Sequence, residues 1–220
     1  MVDSCKNSSS GSKLVLSTTY FGPVQYFSAI YEYETIEIEK WENYHKQTYR
    51  NRCYILGANG LLPLSIPVKK NESSKTLISD IKIDHSVDWH RIHLKSIESA
   101  YNSSPFYQYF IDEIREVFFR KATFLIDFNT DIQQTILGFL QINKEIGFTN
   151  EFKRTFSSET ADMRWKIQPK EKNVDPDLVF PRYSQVFGEK FGFVPNLSII
   201  DLIFNSGNDW VKGLPISFKC

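Results

Sequence analysis

Three of the four histidines in this chain, His85, His90 and His93, fall within nine residues, interleaved with Asp84 and Asp88. If this stretch is helical, His90 and His93 are three apart and share one face, a spacing that lets two imidazoles hold one ion or relay one proton. His85 or Asp88 would then complete a metal shell, although the spacing is less specific than HExxH. The same residues also fit an ordinary amphipathic helix whose inward stripe is Trp89, His93, Ser96, Ile97 and Ala100. In that setting a histidine is a hydrogen-bonded core residue. Packing, acid–base work or substrate contact, and metal binding are the three readings, in that order.

A second cluster is His45-Lys46-Gln47-Thr48-Tyr49-Arg50-Asn51-Arg52. At alternate positions of an extended chain, Arg50 and Arg52 point to one side. Guanidinium forks grip phosphate or carboxylate at two points, so this pair at a strand mouth is suited to an anionic ligand such as a sugar nucleotide. A solvated edge paired with nearby Glu is the equal alternative. The stretch Thr18 to Tyr26 lies where a strand hands over to a helix, the usual ligand position in α/β folds, and Tyr20 and Gln25 can hydrogen-bond there. It lacks GxGxxG and GxxxxGK[ST], so it is neither a dinucleotide fingerprint nor a P-loop. Packing of Phe21 and Tyr26 is the plainer account of its aromatics.

Other chemistry-bearing residues read as structural. Ser198 and Asp201, three apart, look like a nucleophile with a carboxylate but fit a helix capping box better. Cys53 falls inside an apolar run and is expected to be an inert core thiol. No GxSxG supports acyl-enzyme chemistry.

The elements that must position these groups follow from hydrophobic patterning. Residues 14–20, LVLSTTY, read as a buried strand, broken at Gly22-Pro23 before a helical segment, VQYFSAIYEY. TIEIE at 35–39 reads as a second strand, with Ile36 and Ile38 alternating with Glu37 and Glu39. This β-α-β opening predicts a parallel sheet. Residues 52–57 and 61–68 then form a hairpin through Ala58-Asn59-Gly60. A strand is expected at 77–83, and helices at 87–101, capped from Asp84 to Ser86, and from Pro105 to about Phe119. Asn129 or Thr130 is expected to cap a helix carrying Ile132, Ile136, Phe139, Leu140 and Asn143 on one face, ended by Gly147. A short helix over IIDLIF is closed by Gly207. The fold class is therefore α/β: a mixed sheet with a β-α-β unit plus a hairpin, flanked by helices, in a single domain over 13–220. A disordered tail is expected at 1–12 and a mobile loop at 166–178.

Lys plus Arg and Asp plus Glu balance at 26 each, which removes the electrostatic case for nucleic acid or an anionic membrane surface. At 220 residues the chain can bury about 70% of its unfolded surface without staples. Cys5, Cys53 and Cys220 are an odd set with no CxxC, which argues against a disulfide framework. The polar N-terminus and the lack of an eighteen-residue apolar run predict a cytoplasmic protein with no membrane insertion.

Taken in order, TYFGPVQYF (19–27), KQTYRNRCYI (46–55), NGLLPLSIPV (59–68), DWHRIHLKSIESAYNSSPFYQYF (88–110) and YSQVFGEKFGFVPNLSIIDLIFNSG (183–207) resemble the WbqC-like family. That family is associated with O-antigen and related surface-polysaccharide gene clusters in bacteria. The resemblance implies an acyl or aminoacyl transferase, in one form a glycine transferase, acting on an amino-sugar nucleotide. Its motif positions mark His90 and His93 as catalytic candidates, and Tyr20, Gln25, Arg50, Asn51, Arg52 and Asn59 as substrate-binding candidates. It implies a small-molecule partner, names no cofactor and fixes no oligomeric state. A non-catalytic ligand-binding or scaffold protein of the same pathway is the alternative, and a metal-dependent hydrolase the second alternative.

Overall fold

A computed structural model describes residues 13–69, 75–169 and 178–217. The expected tail at 1–12, residues 170–177 of the expected loop, and Cys5 and Cys220 lie outside the described residues.

Strand β1 (Lys13–Ser17) has Leu14, Val15 and Leu16 at 0% exposure, as a parallel strand covered on both faces requires. Helix α1 (Val24–Glu32) carries the chain across to β2 (Thr35–Glu39), which pairs parallel to β1 with Leu14 beside Ile36. The antiparallel hairpin of β3 (Arg52–Gly57) and β4 (Gly60–Ser65) follows, in register from Arg52 beside Ser65 to Gly57 beside Gly60. Gly60 has φ 108, a left-handed conformation open to glycine, so the tight turn falls on Ala58 and Asn59. Helices α2 (Trp89–Tyr101), α3 (Tyr107–Phe119) and α4 (Leu125–Phe139) come next.

The chain then returns to the sheet. Strand β5 (Ile146–Phe148) pairs with β2, and β6 (Thr160–Asp162) with the other side of β1, both parallel. The order is β5-β2-β1-β6. Counted along the chain, the strands step outward from β1 in one direction and then reverse to its other side. The reversal opens a crevice between β1 and β6 at their carboxyl ends. The remaining elements are β7 (Leu178–Val179), α5 (Gly188–Phe191), α6 (Ile199–Ser206) and β8 (Ile216–Ser217), with β7 and β8 antiparallel. The architecture is mixed α/β, a parallel sheet and an antiparallel hairpin flanked by helices in one domain. Among the described residues, no helix is long and apolar enough to cross a membrane.

Several local expectations are corrected. Residues 77–83 form a 3-10 turn, Ile78–Asp80, with isolated bridges on either side instead of a strand. Gly147 lies inside β5 and ends no helix. Helix α4 starts at Leu125, because Leu125, Ile126 and Phe128 are all buried and pull the first turn into the core; Asn129 is an interior helical residue at 0% exposure. Side-chain caps are absent at the starts of α2 and α6; Ser198 Oγ instead donates to the Phe21 carbonyl at 2.8 Å.

Distant residues serve both ends of α1. At its start, the Val24 amide donates to the Leu197 carbonyl at 3.0 Å and the Gln25 amide to Asn196 Oδ1 at 3.0 Å. At its end, Lys144 Nζ donates to the carbonyls of Ile30, Tyr31 and Tyr33 at 3.0, 2.6 and 2.8 Å. A cation there also opposes the negative end of the helix dipole. Replacing Lys144 by Met, which keeps the stem and removes the ammonium, should lower stability by about 1–2 kcal/mol in urea unfolding without changing its slope.

Candidate functional site

The last residues of three neighbouring parallel strands are polar: Ser17 on β1, Glu39 on β2 and Asp162 on β6. They meet two guanidiniums at the mouth of the β1/β6 crevice. Arg164 donates from Nη1 to Glu39 Oε2 at 3.0 Å, and grips Asp162 with Nε at 2.9 Å and Nη2 at 2.7 Å. Arg50 forks onto Glu42 through Nε and Nη2, and Nη2 also reaches Ser17 Oγ at 2.7 Å. Ser17 Oγ in turn donates to the Arg164 carbonyl at 3.0 Å, so one hydroxyl links both pairs. Glu39 Oε1 is satisfied by the Trp41 amide and by Thr149 Oγ1, both at 2.8 Å. Asn129 reaches in from α4, its Nδ2 donating to the Arg50 carbonyl at 2.8 Å.

Arg50, Glu42, Glu39 and Arg164 are 2, 1, 0 and 2% exposed. Isolated charges at such depth would each cost several kcal/mol, and bidentate pairing offsets this. Two guanidiniums face three carboxylates, which leaves the chamber one formal negative charge. Asp162 is its open member, with a side chain 31% exposed. Burial pushes its carboxyl upward, but the Arg164 hydrogen bonds and charge outweigh that and hold it below the ordinary carboxylate value. Aromatic rings cover the cations: Trp165 lies 4.5 Å from Arg50, and Phe156 and Phe152 lie 4.8 and 5.2 Å from Arg164. The exposed His45 ring meets Trp165 edge-on at 4.6 Å. Its pKa is lowered by partial burial and by Arg50, against a smaller opposing effect of Glu42, a shift that favours the neutral imidazole.

The residues singled out from sequence are dispersed around this centre. Tyr20, fully buried, shares a 2.8 Å hydrogen bond with His93 Nδ1, and its amide donates to the Tyr49 carbonyl next to Arg50. His93 is 4% exposed, with Trp89 edge-on at 5.2 Å. Asn51 is buried and donates to the Ile66 carbonyl at 3.0 Å. Arg52, half-buried, reaches the Tyr54 hydroxyl at 3.3 Å, and no carboxylate pairs with it among the described residues. Gln25 is engaged by Asn196, and Asn59 is exposed in the hairpin turn. His90 stacks on Trp89 at 3.7 Å and on His85 at 5.2 Å, and opens on a groove of about 400 Å³ between α2 and α3 that also meets Arg91, Lys95, Arg115 and Phe118. Among the described residues no three His, Cys, Asp or Glu side chains converge as a metal shell would need.

Sequence reasoning reached Arg50 but missed Glu39, Glu42, Asp162 and Arg164. Alternation along β2 marks Glu39 as polar but says nothing of its burial at the strand end. One signal was present: carboxylates at strand ends and an Arg two residues after Asp162 are the pattern of a charged crevice, once the strand order is known. Asp201 is likewise no cap; it is 1% exposed and accepts from Tyr101, Tyr183 and Gln185 at 2.9, 2.7 and 3.0 Å. Cys53 is fully buried, and burial holds its thiol well above the ordinary range, in keeping with an inert core residue.

Comparison with known proteins places these features in context. The model of the WbqC-like protein family matches residues 18–173, a span that includes both ion pairs. A Mycobacterium tuberculosis (strain ATCC 25618 / H37Rv) protein, named Uncharacterized protein Rv1507c, is 22% identical over 218 residues, covering 88% of this chain and 93% of the relative. No solved structure matches the chain.

Two outcomes follow from the geometry. Glu42→Leu should cost about 3–5 kcal/mol in urea unfolding by stranding Arg50, and the double change Glu42→Leu with Arg50→Met should recover most of it. His93 carries the second. Burial, then the nearby His90, lowers its pKa from 6.5 to about 4, against a smaller opposing effect of the Ser65 backbone. The unfolded chain therefore takes the proton first, and stability that is complete above pH 6.5 falls as the pH drops toward 4. The difference amounts to about 3 kcal/mol at most, and His93→Gln should remove this part of the slope in unfolding measured across that window.

Proposed function

The chain belongs to the WbqC-like protein family, and from that premise we propose that it is an acyl or aminoacyl transferase acting on an amino-sugar nucleotide in surface-polysaccharide biosynthesis, in the cytoplasm. The observation that carries the reading is a net-negative chamber at the sheet's switch point with the exposed His45 imidazole at its mouth, against Trp165. A negative chamber attracts an ammonium group, as an amino sugar presents, and Asp162 is the carboxylate open to receive it. His45 is then the base that removes the proton from the attacking nitrogen. The bound ammonium gives one proton to His45 and so gains the lone pair that bonds to the carbonyl carbon of an activated donor; the donor's leaving group departs with its electron pair and takes the nitrogen's second proton. This direct transfer needs no acyl-enzyme, in keeping with the inert Cys53.

A second reading, binding without chemistry, draws on a separate observation. Both buried guanidiniums already have carboxylate partners, so Arg50 is not free to clamp a substrate anion, and ion pairs held this firmly suit a rigid receptor. The His90 groove supplies the other imidazole that can serve as a base; partial burial, then His85, lowers its pKa.

The test is turnover of amino-sugar nucleotides with activated acyl and aminoacyl donors, followed by mass spectrometry. The expected result is an N-acylated product, an acid limb of the rate profile below the ordinary imidazole value of 6.5, and a loss of roughly 10²–10⁴-fold in kcat for His45→Gln with folding intact. Turnover unaffected in His45→Gln but abolished in His90→Gln would move the chemistry to the α2/α3 groove. Thermal stabilisation by a nucleotide sugar with no product from any donor would establish the receptor reading.

A further inference from the structure

Four large aromatic side chains stay partly open at the carboxyl edge of the parallel sheet: Trp41, Phe148, Phe152 and Trp165, at 39, 38, 51 and 39% exposure. Each is fastened to the ion-pair chamber or beside it. The Trp41 amide holds Glu39, and its indole Nε1 donates to the Thr149 carbonyl at 2.9 Å, one residue beyond Phe148. Phe152 lies against Arg164, and Trp165 carries the Arg50 guanidinium on its ring. Large apolar side chains gathered around a polar crevice, with rings immobilised by hydrogen bonds and cations, mark a place where a flat ligand is received.

The charge around these rings has the opposite sign to that inside. Lys40 Nζ lies 5.2 Å from the Trp41 ring and 5.7 Å from the Phe148 ring. Lys46 and Lys166, both exposed, flank His45 and Trp165 in the chain. None of these three lysines is ion-paired among the described residues. A ligand that fits the whole arrangement carries a flat aromatic ring, an anionic middle and a cationic or neutral polar end.

We propose that this aromatic and lysine rim is a nucleotide subsite, in which the base packs against the exposed part of Trp165, beside His45, and the diphosphate lies among Lys40, Lys46 and Lys166. Arg50, engaged with Glu42 and pressed on the Trp165 ring, braces the platform and makes no phosphate contact. The crevice location agrees, since open parallel sheets take nucleotides at the point where strand order reverses. This deepens the transferase reading by seating its nucleotide, and rests on that reading only for the group attached to the diphosphate.

The subsite is tested by calorimetric titration of the full chain with the common nucleoside diphosphates, with inorganic pyrophosphate and a methyl glycoside as probes of the separate parts. At least one nucleoside diphosphate should bind saturably, and Trp165→Ala should weaken it roughly five- to hundredfold, the range of one lost base stack, while Trp165→Phe retains most of the affinity. If Trp165→Ala fails to fold because Arg50 loses its cover, Trp165→Leu keeps the apolar contact and removes the ring. Pyrophosphate binding as tightly as the nucleotide, unchanged affinity in the ring-less variant, or no saturable nucleotide binding would each overturn the proposal. Nucleotide binding that depends on Trp165 without any acyl transfer would keep the subsite and reject the transferase; transfer that ignores Trp165 would do the reverse.

Discussion

Two arginines buried at the carboxyl end of a small parallel sheet hold the structure's centre. Each reaches carboxylates contributed by different segments: Arg50, just before β3, takes Glu42, and Arg164, just after β6, takes Glu39 from β2 and Asp162 from β6. Charges so far from water tolerate few alternative arrangements, because leaving any one unpartnered is more costly than the pair is favourable. The strand ends, the entry to the hairpin and the middle of α4 are therefore brought to one place by electrostatics as much as by apolar burial. Ser17 joins the two pairs through a single hydroxyl.

That centre divides the molecule's chemistry into layers. Inside is a net-negative network open to water at Asp162; around it stand half-open aromatic rings, with lysines and His45 at the margin. A ligand bearing both signs of charge is matched by such layering, whereas a simple anion or a simple cation would satisfy one layer and be repelled by the next. The Tyr20–His93 pair belongs to a different layer again. It links the β1–α1 loop to α2 within the apolar core, where the neutral imidazole acts as a hydrogen-bonded strut.

The parts legible in the sequence were those whose pattern is local. The run LVLS, the alternation in TIEIE, the Asn-Gly at the hairpin and the Gly207 stop each sit beside the element they specify, and β1, β2, the hairpin and α6 formed there. Strands β5 and β6 were not legible, since three residues cannot display a period; they exist because β1 and β2 offer edges that need hydrogen-bonding partners. Their absence from the reading hid the strand order, and with it the crevice. Arg50 was identified by its type and spacing, but its partner Glu42 carries no signature of its own. Asn129 looked like a cap because polar residues are favoured at helix starts; its task is to satisfy a carbonyl 79 positions away, which no window of sequence reveals.

The closing of α1 by Asn196 and Leu197 bears on how the chain is built. Helix α1 leaves the ribosome with two leading amides whose partners are made some 171 residues later. Until that late segment arrives, those amides and the dipole behind them face water, and the β-α-β opening is held by its own strand pairing alone. Synthesis therefore yields an early half that is incomplete at its first junction, and the Asn196–Leu197 segment leading into α6 acts as the latch that commits the domain. A chain stopped at the limit of the family-matched span would carry both arginine pairs and yet leave α1 unsealed.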